Sequence, residues 1–204
     1  GALAQRAPLP GRFNVLNSLV ALAAARALGV DDATIAAALP RVGRVPGRFE
    51  GVDEGQDFAV VVDYSHTPDS LENVLRAARD LAAGGRVLCV FGCGGDRDRG
   101  KRPIMGRIAD ELADVPIVTS DNPRSEDPEA IVHEVLAGMS AAVEWHVDRR
   151  EAIASAIEQA WTGDVVVIAG KGHEQGQEFE GGRKEPFDDV TVAREVLRAA
   201  RVDA

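Results

Sequence analysis

From residue 58 onward, short apolar runs alternate with amphipathic stretches. Phe58–Tyr64, Arg86–Gly92, Pro116–Ser120, Val143–Val147 and Asp164–Ala169 are rich in Val and Ile and read as strands. Helical spacing falls between them, near residues 68–82, 103–113, 128–140 and 149–161, and Asp188–Ala200 reads as a closing helix. This alternation predicts right-handed βαβ units, and so an α/β, Rossmann-like fold whose mainly parallel sheet carries helices on both faces. Arg48–Glu54 adds an expected edge strand. The first segment differs: Phe13, Leu16, Leu19, Val20, Ala23 and Ala27 follow helical spacing up to Gly29, and a second short helix begins near Asp32. This small N-terminal helical segment cannot enclose a core alone and is expected to pack on something else. The expected division is residues 1–45 and 46–204.

The polar residues are placed unevenly. Each predicted strand runs into a loop loaded with side-chain chemistry: Asp63–Pro68, Gly92–Arg102, Asp121–Arg124, Asp148–Arg150 and Gly170–Glu174. All five lie at carboxyl ends of strands, the edge where an open α/β sheet binds ligands. The opposite ends, such as Ala82–Gly85 and Trp161–Gly163, are short and bland.

Composition narrows the classes. The 204 residues hold 33 Asp and Glu against 23 Lys and Arg, a net charge of -10. That balance argues against broad nucleic-acid or anionic-membrane binding, which needs clustered cations. No run approaches about 20 apolar residues, and the first residues lack a secretory pattern, so a cytoplasmic location is expected. Cys89 and Cys93 have no His or Cys cluster at metal spacing and read as free thiols.

Gly95–Lys101 spells G-x-x-x-x-G-K, but Arg102 follows where a phosphate-binding loop has Ser or Thr, and the interior is Asp-Arg-Asp-Arg. A phosphate loop, a solvated charged turn and a tight loop aiming Arg97 into a site all remain open, the last being preferred. Asp63 and His66 precede Thr67-Pro68, a helix start with Thr67 as its cap. Their chemistry also suits a ribose hydroxyl and a phosphate oxygen. Asp121-Asn122-Pro123-Arg124 is either a plain turn or one that presents a planar fork to a carboxylate. His133 and His146 lie within a helix and a strand and read as structural.

Taken together these loops resemble the C-terminal part of the Mur ligases, ATP-dependent amide-forming enzymes of peptidoglycan precursor synthesis. Gly11-Arg12-Phe13-Asn14-Val15-Leu16-Asn17 is similar to the helical end of their central ATP-binding domain. Pro46-Gly47-Arg48-Phe49-Glu50 is similar to the junction with their C-terminal, amino-acid-binding domain. Asp63–Pro68 differs from the family's form only at Ser65, where alanine is usual. Asp121–Arg124 is the recognition motif of the members that add meso-diaminopimelate to UDP-N-acetylmuramoyl-L-alanyl-D-glutamate. The resemblance implies an acyl phosphate made from ATP, with magnesium as cofactor, and attack on it by the diaminopimelate amine.

It also implies diaminopimelate contacts at Arg97, Asp121, Asn122, Pro123, Arg124, Gly170 and Glu174, and nucleotide contacts at Asn17, Arg48, Asp63 and His66. The family's phosphate loop, carbamylated lysine, magnesium ligands and uridine-nucleotide domain have no counterpart in this sequence. These 204 residues are therefore expected to be inactive alone, to hold no metal, and to act as a monomer on small-molecule substrates. Folylpolyglutamate- or cyanophycin-type synthetases are the alternative within the superfamily, and a nucleotide-binding regulatory module the alternative outside it.

Overall fold

The computed structural model describes residues 12–202 apart from residue 44; Gly11 and the Phe13 side chain of the sequence reading lie outside the described part. The chain divides into two compact units, Gly1–Val45 and Pro46–Ala204. In the first, α1 (Arg12–Ala27) and α2 (Asp32–Ala38) are joined by a short turn. Asp31 caps α2 through the Thr34 N–H, and Arg26 forms a two-pronged pair with Asp32. Only Asn14 and Ile35 are buried among the described residues of this unit, too little to form a core.

The second unit is built on a six-stranded sheet. Its strands are β1 (Glu50–Val52), β2 (Ala59–Asp63), β3 (Val87–Phe91), β4 (Val115–Thr119), β5 (Glu144–His146) and β6 (Val165–Ala169), in the order β1-β2-β6-β3-β4-β5. β1 pairs antiparallel with β2; every other pairing is parallel. The central strands are buried along their length because both faces are covered, which explains their unbroken Val/Ile runs. On one face α6 (Arg149–Glu158) and α7 (Asp189–Val202) bury Ile153, Ile157, Val192 and Leu197 against Val62, Val90 and Ile168. The side chains of alternate strand residues face α3 (Pro68–Ala82), α4 (Lys101–Leu112) and α5 (Pro128–Leu136), which supply Leu71, Leu75, Met105 and Ile131.

Three helix ends differ from expectation. α4 begins two residues early, since Lys101 and Arg102 join the helix instead of the loop. α5 stops at Leu136 because Gly138 lies flush against the backbone of Pro103, and α6 stops at Glu158. A hairpin absent from the sequence reading follows β6: β7 (Gly176–Glu178) pairs antiparallel with β8 (Lys184–Pro186). Its residues are mostly polar, so no apolar alternation announces it.

Candidate amino-acid and nucleotide site

The loops after β2, β3, β4 and β6 meet above the sheet. Close backbone contact makes this possible. A side chain on Gly95 would collide with the Pro123 carbonyl, so the loop after β3 rests directly on the Asp121–Arg124 turn, with Gly95 N–H donating to Asn122 O at 2.8 Å. Gly170, at φ +122°, leaves its Cβ position 3.2 Å from Asp121 Oδ2 and donates its N–H to Asp63 O.

At the centre is Lys171, whose side chain is fully buried. Its ammonium donates to Asn122 Oδ1 at 3.0 Å and reaches Glu174 Oε2 at 3.3 Å and Asp121 Oδ1 at 3.4 Å. Asn122 is used by the protein on every side: its amide nitrogen donates to Glu174 Oε2 at 2.9 Å, and its oxygen also accepts the Glu178 N–H. Burial pushes the Glu174 carboxyl upward, but Asn122, Lys171 and the Tyr64 hydroxyl together hold it below its ordinary value. Glu174 is therefore ionised at neutral pH while a third of its side chain stays exposed.

Arg124 sits at φ 51°, a left-handed conformation that a non-glycine residue adopts under constraint. Its Nε donates to Glu178 Oε2 at 2.9 Å and its Nη1 to Gly95 O at 2.8 Å. A cleft of about 530 Å³ opens here, lined by Asn122, Arg124, Glu174, Glu178, Lys184 and other residues of the hairpin. It thus presents the Arg124 guanidinium and the Lys184 ammonium beside the carboxylates of Glu174, Glu178 and Glu185, with Glu178 paired to both cations, to Lys184 at 3.0 Å.

Not every expected residue reaches this cleft. Asp121, Pro123 and Gly170 are buried behind the residues that line it. Arg97 is exposed and turned back on the Asp96 carbonyl, because Asp96 binds Ser125 and Glu126 and fixes the loop outward; only its stem lies beside Arg124 over Gly94. The preferred reading of Arg97 aimed into the site is corrected to that extent. The phosphate-loop reading also gives way: Lys101 donates to His66 O at 2.6 Å, and Arg102 is buried in a two-pronged pair with Glu126 and a bond to Glu134. The Arg102 hydrogen bond, outweighing the upward push of burial, brings the Glu126 carboxyl down to about 2. Asp148–Arg150 is a structural loop, with Asp148 capping α6 and Arg149 paired with Asp189, both fully buried.

The expected nucleotide residues gather around Tyr64, apart from Asn17, which lies in the first unit as an exposed residue of α1. The exposed Arg48 guanidinium stands 4.8 Å from the centre of the Tyr64 ring, and the rings of His66 and His173 lie 4.6 and 5.4 Å from it. His66 Nδ1 faces Tyr64 O at 2.8 Å, so in the neutral ring Nδ1 carries the proton and Nε2 is left as an acceptor. Tyr64 connects this face to the cleft through its hydroxyl, 3.4 Å from Glu174 Oε1. Asp63 is different: it is 6% exposed, one carboxylate oxygen accepts the N–H of Phe49 and the other faces the Ser65 hydroxyl. In this arrangement Asp63 holds Phe49 at φ 49° and the junction with it. Thr67 caps α3 with Ser70 in a reciprocal box. Among the described residues, no three His, Cys, Asp or Glu side chains converge as a metal ion would require.

A parallel sheet with its polar loops gathered at the carboxyl edge, an amino-acid-sized cleft of mixed charge and an adjoining Arg-Tyr-His face define the class. The chain belongs to the Mur ligase family, glutamate ligase domain, whose pattern matches residues 47–172. Its relatives are more particular. It is 56% identical over 194 residues to UDP-N-acetylmuramoyl-L-alanyl-D-glutamate–2,6-diaminopimelate ligase of Syntrophomonas wolfei, covering 93% of this chain and 39% of that protein. The ligase of the same name from Gloeobacter violaceus is 54% identical over 204 residues, covering 98% and 41%. A solved structure of a protein with that name superposes with a TM-score of 0.74 at 44% identity, covering 98% of this chain and 41% of the other. The chain thus spans about two fifths of the length of these relatives.

Proposed function

We propose that this chain is the amino-acid-binding part of an ATP-dependent ligase that adds meso-diaminopimelate to UDP-N-acetylmuramoyl-L-alanyl-D-glutamate in peptidoglycan precursor synthesis. The observation that carries the reading is the pairing of Arg124 with Glu174 in one cleft. Diaminopimelate ends in an ammonium and a carboxylate on the same distal carbon. Glu174 accepts the ammonium, and the Arg124 fork takes the carboxylate. Lysine lacks that carboxylate and would leave Nη2 of the guanidinium, the edge that Glu178 and Gly95 do not occupy, without a partner, which disfavours it more than a lost methylene would.

Arg97, whose stem lies beside Arg124 over Gly94, is the further expected contact for a diaminopimelate carboxylate. Buried Asp121, Pro123 and Gly170 hold the backbone of the motif and its neighbouring loops in place, and Asn122 and Lys171 keep Glu174 ionised. On the neighbouring face, Arg48 and His66 are the groups suited to the phosphates of ATP, with Asp63 positioning the loop that carries them; Asn17 is the expected contact for the base. ATP supplies the phosphoryl group that activates the D-glutamate carboxylate, and the amine displaces phosphate from the acyl phosphate. Magnesium is the expected companion of ATP, its ligands expected outside these 204 residues. No helix among the described residues is long and apolar enough to cross a membrane. The reading accordingly places the protein in the cytoplasm as a monomer, with small molecules as its substrates.

The test is amide formation by the full-length protein with diaminopimelate or L-lysine. Arg124→Ala is expected to lower the diaminopimelate/lysine ratio of kcat/KM by roughly 100-fold. An unchanged ratio would sink the reading.

A further inference from the structure

The hairpin that the sequence reading missed grips the recognition motif, and Glu178 makes most of the contact, beside the Gln177 amide that donates to Asp121 O at 2.8 Å. Glu178 is bonded to the Asp121–Arg124 turn three times over: its N–H donates to Asn122 Oδ1 at 2.9 Å, its carbonyl accepts the Arg124 N–H at 2.9 Å, and its carboxylate accepts Arg124 Nε at 2.9 Å. An isolated bridge between Arg124 and Phe179 continues the contact as a short parallel pairing. The other carboxylate oxygen receives Lys184 Nζ from β8, so both strands of the hairpin share in the grip. Lys184, with Arg124 behind it, holds the Glu178 carboxyl below its ordinary value against the upward push of burial.

These bonds act on a residue that needs them. Arg124 has a left-handed backbone, and its long side chain has many rotamers. Glu178 on Nε and Gly95 O on Nη1 fix the plane of the guanidinium, while Nη2 has no hydrogen-bond partner among the described residues. A planar fork that is already oriented loses little freedom when it meets a carboxylate. We propose that Glu178 is a positioning residue for amino-acid selection, aiming Arg124 at the distal carboxylate of the incoming substrate. The β7–β8 hairpin is then a wall of the specificity pocket. This inference rests on the ligase reading above.

The experiment compares Glu178→Ala and Glu178→Gln in the full-length protein, with Arg183→Ala as a control. Arg183 stacks on Phe179 within the hairpin and does not touch Arg124, so it reports on hairpin damage alone. Glu178→Ala is expected to raise KM for diaminopimelate about 10-fold, with kcat and KM for ATP within about twofold, and to lower the diaminopimelate/lysine ratio by a similar factor. Glu178→Gln keeps an acceptor for Nε and should recover part of that loss, and Arg183→Ala should leave the ratio unchanged. An unchanged or lowered KM in Glu178→Ala overturns the positioning role. So does an equal loss for both amino acids, or a matching fall in the ratio with Arg183→Ala. If the unaltered protein forms no amide with diaminopimelate, the ligase reading itself fails, and that result is separate from any behaviour of the variants.

Discussion

Lys171→Met removes a buried cation and leaves its shape nearly filled. The ammonium lies within 3.4 Å of oxygens from Asp121, Asn122 and Glu174, and the whole side chain is inaccessible to solvent. Without it, the carboxylates of Asp121 and Glu174 face one another across a site from which water is largely excluded. Breaking a buried ionic cluster at one partner costs about 3–5 kcal/mol. The lower end applies here, because Glu174 keeps a third of its side chain in water. For a unit of this size, about 3 kcal/mol corresponds to a fall in Tm of roughly 6–12 °C. Glu174→Gln added to Lys171→Met should return about 1 kcal/mol by removing one of the two uncompensated charges. Loss of Lys171 also removes one of the groups holding Glu174 below its ordinary value, so the acid limb of diaminopimelate binding should move to higher pH. Urea denaturation of both variants at pH 7, with binding followed from pH 4 to 7, measures all three effects. A single variant within about 1 kcal/mol of the parent, or a double variant less stable than the single one, would refute the charge argument.

Other expectations test the frame around the cleft. Gly95→Ala forces a methyl into the Pro123 carbonyl and should destabilise the second unit by about 1–3 kcal/mol while weakening diaminopimelate binding, as calorimetry would show. The Glu126 carboxyl is held down from an ordinary 4.5 to about 2 chiefly by Arg102; because the folded value is the lower one, its stabilisation is complete above 4.5 and lost as pH falls through 2. Urea midpoints between pH 5 and 2 should therefore drop less steeply in Glu126→Gln than in the parent. Burial pushes both thiols, Cys89 and Cys93, up to about 12, so labelling by a thiol reagent at pH 8 should be slow in the native state and rapid only after unfolding.

The parallel sheet was legible because Val60–Val62, Val87–Phe91 and Val165–Ala169 are apolar without interruption, the pattern of strands covered on both sides. The location of the site was legible for a related reason, since polar loops crowd one edge only. The cast of the site was harder to read. Glu178 and Lys184 lie in three-residue strands that carry no apolar alternation, and Gly181-Gly182 between them was the available sign of a turn. Lys171 stood inside a quoted motif, but sequence cannot tell a buried lysine from an exposed one. The direction in which Asp63 and Arg97 turn was not legible for one reason: the orientation of a loop side chain depends on partners far along the chain, Phe49 for the first and the Asp96–Ser125 contact for the second.

The position of β6 bears on how this molecule is made. β6 enters between β2 and β3, two strands completed some seventy or more residues earlier, and the Lys171–Glu174 segment follows directly behind it. During synthesis β2 and β3 must wait with open hydrogen-bonding edges until residue 169 has emerged, and such edges invite pairing with other chains. Long-range parallel pairing of this kind is slow to nucleate. The strand that closes the sheet also delivers the cation that joins the cleft together, so a nascent chain acquires its ligand-binding surface and its protection from aggregation in the same step.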